Sequence, residues 1–394
     1  MISPMQLHGS RSTSRTNAFW LVALIFAAAM LGTTLPTPLY VIWQGQWHFT
    51  SGVVTAIYAT YAAGVLAALL LAGQVSDVAG RRPVLGVALG LSGLSTIVFV
   101  LAPGVGLLFA GRLFSGLAAG LVTGTATATL TDLAPSSRRR WASLVATAVN
   151  LGGLGLGPLA AGLLSQYAPD PTVLVFEVYL AVLATAALAL LLVPETVADR
   201  RRPGLSFGGL GIPSASRGAF VAAGVAGFAA FSLLGLFSAL APSFLGTVLH
   251  QKSHFVAGAV VFLMFAAATV TQPLVSRVSG RTAVRVGLGL FLLALALILT
   301  ALSEAAMSLF LAGTALGGIA GGAVFAGSLA TANQLAEPGR RGRAISTYFV
   351  FAYVGLTVPV VGVGVTSGYL GDFGAVLAFS ILLTILCAVA TALT

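Results

Sequence analysis

Apolar stretches of about twenty residues recur from one end of this 394-residue chain to the other, and nearly every basic residue falls in the gaps between them. A helix needs about 20 apolar residues to cross a hydrocarbon layer of ~30 Å. Windows of that kind lie near 18–42, 52–72, 84–102, 105–132, 141–165 and 172–193. Six more lie near 218–245, 254–276, 283–302, 306–334, 344–367 and 373–392. A transmembrane barrel would instead show alternating strands of about ten residues, and no such alternation is present. With 58% hydrophobic residues, 7% charged residues and mean hydropathy +1.03, the chain lacks the polar groups to cover a water-soluble surface. The fold class expected is an all-α membrane protein with 12 transmembrane helices in two pseudo-symmetric six-helix bundles.

The net charge of +10 does not form a basic face for nucleic acid, because the charges come in short clusters between apolar runs. Basic residues favour the cytoplasmic side. With the N-terminus inside, 17 of the 19 fall there, among them Arg81, Arg82, Arg138–Arg140, Arg200–Arg202 and Arg277; Lys252 falls outside and Arg112 within a span. Both termini are thus expected in the cytoplasm. The run 18–41 follows Arg11 and Arg15 as a signal peptide would, but it is too long for one and is broken by Pro36 and Pro38, so it reads as a retained first span. Cys387 is the single cysteine, which excludes intrachain disulfides and Cys-based zinc sites. His48, His250 and His254 lie in outer loops without metal-ligand spacing, and no metal or cofactor is expected.

The long polar stretch 194–217 divides the spans six and six. The organisation expected is a tail (1–17), an N-terminal bundle (18–193), a cytoplasmic linker (194–217) and a C-terminal bundle (218–394). The halves echo one another at an offset of about 200: "SDVAGRRPVLGVALGL" with "SRVSGRTAVRVGLGL", "RRRWAS" with "GRRGRAIS", and "HFTSGVV" with "HFVAGAV". Parallel duplication of this kind goes with a binding site near the bilayer midplane between the halves.

Between spans 2 and 3 stands "GQVSDVAGRRP". Its Gly73, Asp77, Gly80, Arg81 and Arg82 resemble the G-x-L-x-D-R-x-G-R-R signature of the major facilitator superfamily, with Val78 departing where a basic residue is usual. Twelve-span drug:proton antiporters of that family are the nearest likeness. The resemblance implies an ionic latch in which Asp77 and Arg81 meet an acid at the end of span 4, here Asp132, and hold the halves together on the cytoplasmic side. Asp77 would face the start of span 11 near Ala344, where a helix N-terminus favours a carboxylate. The alternative is that these charges only anchor the loop at the membrane surface. In the second half Arg277 replaces the Asp, and Asn333 or Gln334 replaces Asp132, so any latch is one-sided.

Arg112, in "LFAGRLFSGLAAG", resembles the span-4 motif whose Arg is implicated in proton coupling in proton-linked members. A cation at mid-membrane costs at least about 2.5–3.5 kcal/mol and calls for compensation. A purely structural arginine, satisfied by span-1 carbonyls, remains the alternative. "NLGGLGLGPLAAG" carries Gly153, Gly157, Pro158 and Gly162 and resembles the family's antiporter motif, with Ala161 in place of one glycine; generic close packing is the other reading. "PET" (194–196) adds to the resemblance.

Spans 1, 4, 7 and 10, with parts of 2, 5, 8 and 11, line the cavity in this family. Candidate lining residues are Tyr40, Tyr58, Tyr61, Asn150, Phe228, Phe231, Phe237, Met264, Phe265, Gln272, Phe325, Asn333, Tyr348 and Tyr353. Aromatic and amide groups with few charges suit amphipathic or hydrophobic small molecules. Glu177 in span 6 is the main intramembrane acid and the candidate for proton coupling beside Arg112, although a position near the outer surface fits it equally well. The function expected is export of such compounds by alternating access with proton antiport, by a monomer in a bacterial inner membrane. A carrier for a sugar or amino acid is the alternative. An enzyme is not expected, since no catalytic constellation appears, and the cytoplasmic loops are too short for a nucleotide-binding domain.

Overall fold

The computed structural model describes residues 7–72, 75–198, 200, 211–213, 216–337 and 341–393. In chain order the helices are α1 (Leu7–Thr34), α2 (Tyr40–Trp47), α3 (Ser51–Ala72), α4 (Val75–Ala79), α5 (Arg81–Val100), α6 (Val105–Leu133), α7 (Arg139–Tyr167), α8 (Leu174–Leu190), α9 (Arg217–Thr247), α10 (His254–Val275), α11 (Gly280–Ser303), α12 (Met307–Leu335) and α13 (Arg341–Leu393). Helix is what a chain in hydrocarbon must form, because each backbone group has to find its partner within the segment. Among the described residues ten segments are long and apolar enough to cross a membrane, and α8, at 17 residues, is shorter but equally apolar.

Two boundaries differ from the hydropathy reading. The first span breaks at Pro36 and Pro38, where a short 3-10 turn (Thr37–Leu39) joins α1 to α2 and carries the apolar segment on to Trp47. Spans 11 and 12 follow one another without a loop: the run α13 is two helices that meet at Gly371, whose φ of 70° and ψ of 169° are not helical. With α13 crossing on both sides of that kink, the total is the twelve crossings expected.

The two halves repeat the same packing. Helix α1 packs on α7, α3 and α5 on α6, and α5 on α8; correspondingly α9 packs on α13, α10 and α11 on α12, and α11 on α13. The likeness extends to single bonds. Pro158 inside α7 leaves the carbonyl of Leu154 without its helical donor, and the hydroxyl of Thr34 in α1 donates to that oxygen at 2.6 Å. Pro359 inside α13 does the same to Gly355, and the hydroxyl of Ser232 in α9 donates to it at 3.0 Å. Between the halves, α7 runs along α10 and α3 along α13.

Candidate functional site

A cavity of about 570 Å³ lies between the halves. Its wall takes the last turns of α3 (Val65, Leu69), the second part of α6 (Gly120 to Asp132), the first part of α7 (Thr147, Asn150), the end of α12 (Phe325, Leu329, Asn333) and the start of α13 (Arg343 to Tyr353). All of these belong to the arginine-bearing ends of their helices, so the halves part on that face. A second space of about 410 Å³ adjoins it between α7, α10 and α12, lined by Gln272, Ser276 and Arg140, and it shares Phe325 and Asn333. Arg140 donates to the carbonyl of Ser276 at its rim.

At the opposite ends the halves are closed. Gly162 of α7 meets the His254 carbonyl and Gly258 of α10, and Gly258 in turn meets the Pro158 carbonyl, leaving no room for a methyl group at either glycine. Gln166 accepts the backbone N–H of His254 at 2.9 Å. Gly364 of α13 packs in the same way against Thr55 of α3. The four motif residues on α7 therefore divide their work. Gly153 and Gly157 let α1 approach at Ala27 and Leu31, while Pro158 and Gly162 form the seam with the other half.

The predicted cavity residues separate into groups. Asn150, Phe325, Asn333 and Tyr353 line the main cavity, and Gln272 the adjoining space, where it donates to the Gly322 carbonyl at 3.2 Å. Phe231 backs the aromatic wall, with ring centres 5.3 Å from Phe325 and 5.5 Å from Tyr353. Five others are packing residues. Phe237 is buried on Phe310, Tyr348 is buried with its hydroxyl 2.8 Å from Ser328, and Tyr40 is buried beside Trp43. Phe265 is buried where its Cβ abuts Gly155 of α7, and Met264 is buried toward Gly317 of α12; of Phe228, the backbone lies along Gly355 and the residue is half-buried. The reason is common to all five: a membrane helix is apolar on every side, so a large apolar side chain is as suited to a helix contact as to a cavity. The threonines of "TGTATATLTD" were not anticipated. Thr123, Thr127 and Thr131, spaced four apart, fall on one face of α6 and line the cavity with Thr147 of α7. The four-residue spacing was the available signal.

Tyr58 and Tyr61 stand behind the closed end of the cavity, around Arg112. That side chain is wholly buried. Its guanidinium carbon lies 5.0 Å from the Tyr58 ring centre and 4.8 Å from that of Tyr61, and it donates through one nitrogen to the Thr33 carbonyl at the end of α1. Cation–π attraction from two ring faces and one span-1 carbonyl thus hold the charge, while Nε and the other terminal nitrogen have no hydrogen-bond partner. Glu177 is elsewhere: it is exposed in the first turn of α8 and lines neither cavity.

At the arginine-bearing face, Arg81 meets Asp77 at 2.5 Å and Asp132 at 3.2 Å, and Thr196 donates to the same Asp132 oxygen at 3.2 Å. These partners all belong to the first half or to the segment just after α8. The triad expected from the sequence is assembled, but here it points within its own half rather than to Ala344. Gly80 begins α5 at φ 103°, a conformation open to glycine, and a Cβ there would meet the Glu195 carboxylate at 2.6 Å. Glu195 accepts the backbone N–H groups of Arg81 (2.8 Å), Arg82 (3.1 Å), Thr196 (2.9 Å) and Val197 (3.1 Å). Burial opposes its ionised form, but these four N–H groups outweigh burial and hold the carboxyl below its usual pKa. Gly73 lies outside the described residues, as do Arg201, Arg202 and Arg340.

Comparison with known proteins agrees with this geometry. A family model, the Major Facilitator Superfamily, matches residues 22–301. An MFS-type transporter of Mycobacterium tuberculosis with no assigned role is 28% identical over 152 residues, 37% of this chain and 25% of that protein. The puromycin resistance protein pur8 of Streptomyces alboniger is 37% identical over 123 residues, 31% of this chain and 23% of that one. The aligned stretch thus spans about a quarter of the length of these curated relatives. Among solved structures, a bacterial homolog of the human lysosomal transporter Spinster, inward-facing and occupied, superposes with a TM-score of 0.76 at 15% identity over 96% of each chain. The human organic anion transporter MFSD10 superposes at 0.70 and 19% identity over 95% of this chain and 99% of its own. The fold, the paired bundles and the matched residues lead to one conclusion: the chain belongs to the Major Facilitator Superfamily.

Proposed function

We propose that this transporter exports small amphipathic or hydrophobic compounds by alternating access, exchanging them for protons across a bacterial inner membrane. The observation that carries the reading is the 570 Å³ cavity between the halves, open toward the arginine-bearing ends and sealed at the others. Basic residues mark the cytoplasmic side, so both termini lie in the cytoplasm and the cavity draws its substrate from there. Residues 18–193 and 218–394 act as two bodies joined by the linker 194–217, and the monomer is the working unit. The mixed wall, aromatic and aliphatic with few charges, suits amphipathic molecules. The relation to a puromycin resistance protein supports efflux. Proton exchange rests on the likeness of Gly153, Gly157, Pro158 and Gly162 to the antiporter motif and on the buried charge of Arg112. The latch of Asp77, Arg81 and Asp132, with Gly80 and Arg82 shaping its loop, closes the cytoplasmic face in the opposite state of the cycle.

A carrier for a small hydroxylated metabolite is the second reading, favoured by the threonine face of α6. Purified protein in sealed vesicles distinguishes the two. An imposed pH gradient should drive movement of hydrophobic drugs and leave labelled sugars and amino acids at rest. Movement of a sugar or amino acid alone would reverse the order, and indifference to the gradient would remove proton exchange.

A further inference from the structure

We infer that the cavity selects neutral or anionic aromatic compounds and disfavours cations, an inference that rests on the export reading above and assigns its substrate class. A pocket that selects cations needs a carboxylate with spare charge. Every described carboxylate of this chain sits in the first or last turn of a helix, in a connection, or beside the α13 kink. Asp132 is the one carboxylate in the cavity wall among the described residues; it shares Arg81 with Asp77, and the single negative charge left over is matched by Arg343 in the same wall. The acid closest to mid-sequence of a span, Glu177, is exposed on the outside of the bundle.

With Arg343 set against that remaining charge at the cavity mouth, Arg112 is the excess positive charge near the cavity. Arg112 lies behind the closed end, eight residues along α6 from the cavity residue Gly120, or about 12 Å by helix rise. Its contacts are tyrosine faces and a carbonyl, which leave its full charge in place. Through an interior of effective dielectric about 20, one unit charge at about 12 Å changes the affinity for a charged ligand about tenfold, in favour of anions. Shape is supplied by the other half. Phe325, Phe349 and Tyr353 line the cavity with aromatic side chains. Across from them the Oδ1 atom of Asn150 is buried without a hydrogen-bond donor, ready to accept one from the substrate. A planar ring bearing an N–H or O–H group and a neutral or negative charge satisfies both walls.

The test uses two dyes that share one ring system, fluorescein as the anion and rhodamine 123 as the cation, bound to the purified full-length chain and read by fluorescence anisotropy. Fluorescein should bind at least about tenfold more tightly, and Arg343→Gln should narrow the gap several-fold. Arg112→Gln should narrow it further, while Arg112→Lys, which keeps the charge, should preserve it and serves as the folding control. Equal or tighter binding of rhodamine 123 overturns the inference, as does a gap that neither arginine variant changes. Vesicle transport separates this from the export reading. Export of rhodamine 123 would keep export and discard the charge rule, whereas the expected binding preference without any transport would keep the rule and discard export.

Discussion

The hydroxyl of Thr34 donates to the carbonyl of Leu154 at 2.6 Å, supplying the hydrogen bond that Pro158 denies to α7. The same repair recurs between Ser232 and Gly355 in the other half. Each hydroxyl joins the first helix of its half to the bent fifth one, so the bends are held at matching depths. Interhelical bonds of this kind contribute up to about 1.7 kcal/mol. Thr34→Val should therefore lower the unfolding free energy by about 1 kcal/mol and reduce turnover, with Thr34→Ser restoring both. Thermal denaturation in detergent and vesicle transport provide the two measurements.

Glu195 fastens the chain emerging from α8 onto the start of α5 through the N–H groups of Arg81 and Arg82. Hydrogen bonds to a charged acceptor are worth about 1.5–3 kcal/mol, so Glu195→Ala should destabilise the protein by about 2 kcal/mol at neutral pH. Because its folded pKa is depressed, that stabilisation is complete above the unfolded carboxylate pKa and is lost as pH falls through the lower folded one. Denaturation midpoints from pH 7 to pH 3 should decline more steeply in the wild type than in the Ala variant; parallel curves would contradict the assignment.

Arg81 shares its charge between Asp77 and Asp132. Asp77→Asn and Asp132→Asn should each reduce transport several-fold with expression retained. The double variant should lose less than the product of the two, as residues of one network do. Full turnover of Asp77→Asn in vesicles would remove the latch from the cycle.

Gly162 permits contact between the backbones of α7 and α10. Leucine at this position should hold the halves apart on that face. In a Cys387→Ser background, cysteines placed at Gln166 and His254, whose atoms bond at 2.9 Å, should cross-link readily in the parent and several-fold less in Gly162→Leu. Unchanged cross-linking would show that the seam tolerates the bulk.

Asn150 offers the cavity a buried acceptor. Asn150→Ala should raise KM about tenfold for a substrate with a matching N–H or O–H, an effect of about 1.4 kcal/mol, and leave KM for an aprotic analogue nearly unchanged. Initial rates of uptake into inverted vesicles measure both.

The architecture was legible because the bilayer imposes it: run length gives the crossings. The meeting of Asp77, Arg81 and Asp132 was legible as well, since a charge cluster between apolar runs is conspicuous. Side-chain direction was not. Phe237 and Tyr348 carry the same apparent signal as Phe325 and Tyr353, yet the first two are core and the second two line the cavity. The proline repair was half visible. Pro158 stood out within a motif, while Pro359, 201 positions later, lies in an ordinary apolar run and gains its meaning only beside Ser232. Glu195 read as part of a family likeness because the donors it accepts are backbone groups, which leave no trace in side-chain pattern.

The run α13 has two arms that meet at Gly371 with no loop between them. Its first part, with Ile345 and Tyr353, is a wall of the substrate chamber, and beyond the elbow at Gly371 its Leu377, Ile381 and Ile385 are exposed on the exterior. With no loop between the two arms, a shift of the outer arm displaces the end of the inner one at Gly371. Lateral pressure and thickness of the surrounding lipid, acting on the outer arm, therefore have mechanical leverage on the chamber itself, and the carrier's pace is expected to depend on the acyl chains around it.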